Sequence, residues 1–119
     1  MFFEVDDYDA LKRALARMCD ALAEEKVPED AVFNCKLVAN ELLVNALEYG
    51  GGCAAFTARR EGNMLRISVR SAVDFQPPAR SSCSDVTCER GRGLFLVDAL
   101  SETRDYSREE GICVIVKLL

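Results

Sequence analysis

Pro28-Glu29-Asp30-Ala31-Val32-Phe33-Asn34-Cys35-Lys36-Leu37-Val38-Ala39-Asn40-Glu41-Leu42-Leu43-Val44-Asn45-Ala46-Leu47-Glu48-Tyr49, followed by Gly50-Gly51-Gly52, is the stretch on which the reading of this chain turns. Proline suits the first turn of a helix and a glycine run stops one, so the segment predicts a helix from about Pro28 to Tyr49. Val32, Phe33, Cys35, Leu37, Val38, Leu42, Leu43, Val44, Ala46 and Leu47 make it apolar around most of its circumference, the pattern of a buried helix. At ~100° per residue, Asn34, Glu41, Asn45 and Glu48 fall within about 60° of one another. Lys36 and Asn40 form an ordinary wet stripe on roughly the opposite side. A carboxylate on a largely buried helix needs a partner or a metal, because desolvating it alone costs several kcal/mol. Glu41 and Asn45 stand one turn apart, so their oxygens can face a common point, as Mg²⁺ or an activated hydroxyl requires. The plain alternative is a second stripe that simply meets solvent in a cleft.

Outward from this helix, the elements alternate in type. Residues 1–5 predict a short edge strand. From Asp7 to Glu25, Leu11, Ala14, Leu15, Met18 and Leu22 recur at helical spacing, with Asp7 and Asp9 as candidate caps. Cys53–Arg60 and Met64–Ser71 flank Glu61-Gly62-Asn63 as a hairpin. Residues 72–90 lack apolar periodicity. Gly91–Ser101 predicts a glycine-led short helix, and Thr103–Ser107, a turn at Arg108-Glu109-Glu110-Gly111 and Ile112–Leu119 close with a second hairpin. The expected fold class is α+β: a two-layer sandwich with helices on one face of a mixed, mostly antiparallel sheet. With 119 residues and neither repeat nor linker, one domain over 1–119 is expected.

Composition removes several chemistries. There is no histidine, so no Ser-His or Cys-His pair, histidine metal site or phosphoacceptor histidine exists. The net charge of −5 argues against a nucleic-acid partner, and Arg59, Arg60, Arg66 and Arg70 read as the outward face of strands. Cys19, Cys35, Cys53 and Cys113 sit in apolar segments as small hydrophobes, while Cys83 and Cys88 in the loop lack zinc or redox spacing. The start Met1-Phe2-Phe3-Glu4 has no basic region of a signal peptide, and no apolar run is long enough for a membrane span. A cytoplasmic protein with free thiols is expected.

Arg90-Gly91-Arg92-Gly93-Leu94 leads into Phe95-Leu96-Val97. Glycines there let backbone N–H groups approach an anion, and the arginines could add charge-assisted bonds to phosphate. The segment lacks the lysine of a Walker loop and the third glycine of a dinucleotide fingerprint.

Together, Glu41-Leu42-Leu43-Val44-Asn45-Ala46 ending at Tyr49-Gly50 resembles the N box of the GHKL (Bergerat-fold, histidine kinase-like) ATPases such as gyrase and the histidine kinases. Gly91-Arg92-Gly93-Leu94-Phe95-Leu96-Val97 resembles their second glycine box. The element order and small size are most similar to the anti-sigma-factor serine/threonine kinase branch. That resemblance implies ATP and Mg²⁺ as cofactors, Glu41 as the general base on a partner's serine and Asn45 as the Mg²⁺ ligand. It implies Gly91, Arg92, Gly93 and Leu94 as the phosphate cradle and residues 76–90 as an ATP lid. It further implies a sigma factor and an anti-anti-sigma (STAS-type) protein as partners, and a homodimer. The branch's Asp-x-Gly-x-Gly box is degenerate: aligned by the strand, Ser71 replaces the aspartate and Val73 the glycine. Aligned by Phe75 and Pro77, the aspartate falls on Arg70, and Asp74 is a substitute from a shifted position. Two readings stay open, a kinase and a degenerate member acting as a protein–protein binding module.

Overall fold

The structure is a computed structural model, in which residues 1–72 and 96–119 are described. Its elements are β1 (Phe2–Val5), α1 (Tyr8–Glu24), α2 (Glu29–Tyr49), β2 (Ala54–Glu61), β3 (Met64–Ser71), β4 (Thr103–Ser107) and β5 (Gly111–Lys117). Residues 96–100 are also helical.

Asp7 caps α1 with its carboxylate, which accepts from the Ala10 N–H at 2.7 Å, as an N-cap acid should. Leu11, Ala14, Leu15, Met18 and Leu22, the five residues expected from the spacing, are all buried. The end of α1 holds a feature that the sequence does not advertise. Lys26 sits at φ 62°, its N–H donates to the Ala23 carbonyl, and the Val27 N–H donates to Leu22. That is the paired closure of a Schellman turn, with a lysine where glycine is usual. The left-handed conformation costs a non-glycine residue about 1–2 kcal/mol, part of which the greater chain entropy of glycine offsets. Lys26→Gly is therefore expected to stabilise the protein by about 0.5–1 kcal/mol, measured as a rise in the urea midpoint at unchanged slope. Pro28 serves as the N-cap of α2 rather than its first helical residue, and Gly50 closes it by donating to the Ala46 carbonyl.

The five strands form one sheet in the order β1-β2-β3-β5-β4. Every pairing among the described strands is antiparallel, in keeping with the mostly antiparallel sheet expected. The β2–β3 hairpin has Glu61 opposite Met64, so Gly62 and Asn63 alone make the turn, with Gly62 at φ 63°. Phe56 and Ala58 of β2, Leu65, Ile67 and Val69 of β3, and Val114 and Val116 of β5 are buried with the apolar sides of α1 and α2 in one core. Burial alternates along β2 and β3, so one sheet face carries the helices and the other is open.

Arg59, Arg66 and Arg70 share the open face with Thr57 and Ser68, lining a groove of about 240 Å³. Arg60 departs from that expectation. It lies on the alternate face, 3.7 Å from Glu25 at the end of α1, and donates to the Gly62 carbonyl. The cysteines also divide: Cys35 and Cys113 are buried, Cys19 is half-buried and Cys53 is exposed, all as free thiols. Burial, with a smaller contribution from Cys19, pushes the Cys35 thiol up to about 12, leaving it an inert core group. No helix among the described residues is long and apolar enough to cross a membrane.

Candidate functional site

Two elements build the described part of the site, the C-terminal half of α2 and the end of β3. Asn45 is 4% exposed, the one buried polar side chain among the described residues. Its Nδ2 has no hydrogen-bond partner among the described residues. A buried donor left unpaired costs about 1–3 kcal/mol, so an unpaired group of this kind calls for an explanation.

Glu41, one turn before Asn45 on the same stripe, is half-buried. Burial, and then the negative charge of Glu48, raise its carboxyl above the ordinary carboxylate range. A carboxylate moved toward neutrality accepts a proton better at working pH, which suits a general base. Glu48 is itself exposed and accepts a hydrogen bond from the Tyr8 hydroxyl at 3.1 Å. That contact ties the start of α1 to the end of α2.

The end of β3 meets the end of α2 at Gly50. A Cβ built there would lie 2.5 Å from both Cβ and Oγ of Ser71 and 2.7 Å from the Ala46 carbonyl. Only a glycine lets the two elements approach this closely. The contact bears on the two alignments of the first glycine box. Ser71 has the strand parity of Leu65, Ile67 and Val69 and stands beside α2. Arg70 is exposed and lines the groove on the open face. Ser71 thus occupies the side on which Glu41 and Asn45 lie, and Arg70 does not. Asp74, the Gly91-Arg92-Gly93-Leu94 cradle, the 76–90 lid, Cys83 and Cys88 lie outside the described residues.

One feature of this end of the molecule was not foreseen from the sequence. Arg104 on β4, with a side chain only 10% exposed, pairs with Asp98. The guanidinium makes two bonds to that carboxylate, at 2.7 and 3.2 Å. A two-pronged bond fixes direction as well as distance. It holds the helical residues 96–100, whose Val97 is fully buried, against the strand. The only sequence signal was an arginine at an inward position of an alternating strand.

An open-faced antiparallel sheet backed by helices, with a carboxylate and a buried amide one turn apart on the central helix, defines a GHKL-type domain. A family model described as "Histidine kinase-like ATPase domain" matches residues 5–118. The chain belongs to that family of histidine kinase-like ATPase domains. A comparison with curated proteins finds no match.

Proposed function

We propose that this protein is an ATP- and Mg²⁺-dependent serine/threonine kinase of the anti-sigma-factor type, acting on an anti-anti-sigma (STAS-type) partner in the cytoplasm and sequestering a sigma factor. The observation that carries the reading is the buried Asn45, whose Nδ2 has no partner among the described residues, one turn from the half-buried carboxyl of Glu41. Bound Mg²⁺ and ATP would supply the transferable phosphoryl group and neutralise its charge. Asn45 would hold the metal with its amide oxygen and the triphosphate with its Nδ2, which has no partner among the described residues. Glu41 would accept the proton of the partner's serine hydroxyl, and its raised pKa places it nearer that task than an exposed glutamate. Positioning and electrostatics dominate phosphoryl transfer, so a small set of groups suffices.

Ser71 beside Gly50 supports a second reading. A serine in place of the adenine-reading aspartate gives up a charge-assisted bond of about 1.5–3 kcal/mol, a tenfold to hundredfold loss of affinity by the usual conversion. A member with that loss can persist as a binding module. Titration calorimetry with ATP and ADP, with and without Mg²⁺, separates the two. Micromolar, Mg²⁺-dependent binding supports the kinase, and no binding at millimolar nucleotide leaves the module.

Glu41→Gln tests the base directly. Phosphate transfer to the partner is expected to fall by about 10²–10⁴, with nucleotide affinity unchanged. The same variant is expected to be more stable at pH 7. Glu41's folded-state pKa is raised, so its contribution is most favourable at low pH and is lost as pH rises through the folded value. Removing the charge should therefore raise the Tm at pH 7. The gain should vanish near pH 4, and an equal gain at both pH values would disprove the assignment of its cause.

A further inference from the structure

The sequence predicts an α2 buried nearly all round, and the structure departs from this on the side away from the sheet. Phe33 is 59% exposed, and Leu37, Asn40, Val44 and Leu47 are only half-buried. Phe33 and Leu37 make no part of the core or of the shell packed on it, while Val44 and Leu47 pack partly on the core and leave only their outer edges on this face. These five residues follow one another at spacings of four, three, four and three. At ~100° per residue they occupy an arc of about 80°, opposite the buried Cys35, Leu42 and Ala46. Apolar residues alternating at three and four are the seam on which a second helix packs. A single polar residue at such a position, here Asn40, is the usual device for fixing register between helices. The hydrogen bond from Tyr8 to Glu48 places another exposed ring, 50% accessible, at the C-terminal end of this face.

Charge decides what fits there. One border of the seam carries Asp30, Glu41 and Glu48, with Glu29 at its start, and the other border carries Lys36 alone. A second copy set antiparallel would bring acid against acid, which is repulsive, and one set parallel would offer a single lysine to three acids and leave most of their charge unmatched. We propose that the outer face of α2 is a docking surface for an amphipathic helix of another protein. That helix would present apolar residues at alternating spacings of three and four, bordered by lysine or arginine. The seam from Phe33 to Leu47 is about 21 Å long, so the docked helix has about four turns. This inference goes beyond the kinase reading and does not depend on nucleotide binding.

The test uses the full chain and two fluorescent synthetic helices of about 18 residues. Both carry leucines at the three–four spacing, one with lysines and one with glutamates on its borders. The lysine peptide is expected to bind at least about tenfold tighter than the glutamate peptide. That binding should weaken as salt is raised from about 50 to 300 mM. Phe33→Ser/Leu37→Ser should reduce it by at least about tenfold with unchanged circular dichroism and Tm. Equal binding by the variant would show mere charge attraction and overturn the proposal. So would failure of the lysine peptide to bind. A dimer of the protein alone in sedimentation, dissociated by Phe33→Ser, would assign the face to a second copy instead.

Discussion

Gly111→Ala is expected to be the most damaging single-methyl change in this protein. Gly111 opens β5 at φ 76°, directly after the Arg108-Glu109-Glu110 turn, and pairs with Ser107 of β4. A side chain there meets two separate costs. The left-handed conformation is strained for any residue with a Cβ, by about 1–2 kcal/mol. In addition, the new methyl would run into the Val69 carbonyl oxygen and lie 2.6 Å from the Cα of Arg70. Both are backbone atoms of β3, so no rotamer change relieves the overlap, and forced backbone shifts cost about 1–3 kcal/mol more. The sum, about 2–5 kcal/mol, is a large share of the 5–15 kcal/mol available to a domain. Thermal unfolding should therefore fall by about 8–20 °C. Gly62→Ala is the internal control. Gly62 also has a positive φ, but a Cβ there meets nothing within 4 Å, so only the strain is incurred. Equal destabilisation by both substitutions would refute the β3–β5 contact as the cause.

The glycines show what was legible in the sequence and what was not. The local signals read well because they are local physics: Asp7 before an apolar periodicity, Gly50 after one, and Gly62-Asn63 between two alternating strands. The inward set of α1 follows from spacing alone. Strand order does not, since β5 inserting between β3 and β4 is a choice among pairings distant in the sequence. Lys26 could not be read either, because a lysine in the left-handed region is tolerated only where a buried Val27 and Leu22 hold the turn closed. The site was legible in part. Glu41 and Asn45 stand out as polar residues on an apolar helix, and both ended where burial raises their cost. The register of the degenerate box was undecidable from residue types, because Ser71 and Arg70 are adjacent and only the sheet assigns them to opposite faces. The outer face of α2 misled for a related reason. Apolar residues all round a helix predict burial on all sides, unless one side awaits another molecule.

Asn45 is the residue at which stability and ligand binding should separate most sharply. Its Nδ2 is buried without a partner among the described residues, and a donor so placed costs about 1–3 kcal/mol that a bound anion or metal-held phosphate would relieve. Asn45→Ala removes the cost and adds the best helix former, at the expense of a small cavity. The net expectation is a protein about 1 kcal/mol more stable that has lost Mg²⁺-dependent nucleotide binding by at least about a hundredfold, the trade-off common at functional sites. Asn45→Asp should do the opposite to stability. It keeps the shape but places a carboxylate at a position 4% exposed, one turn from Glu41 and near Glu48. Both burial and like charge would raise its pKa. The aspartate variant should then be nearly as stable as the parent at low pH and lose about 2 kcal/mol or more as pH rises past its folded pKa. Paired urea titrations of the three proteins at pH 4.5 and 7.5, with and without Mg²⁺ and ATP, measure all of this. If alanine destabilises the ligand-free protein by more than about 1 kcal/mol, the amide is a packing element. In that case Asn45 is not held for a ligand, and the kinase reading loses the observation on which it stands.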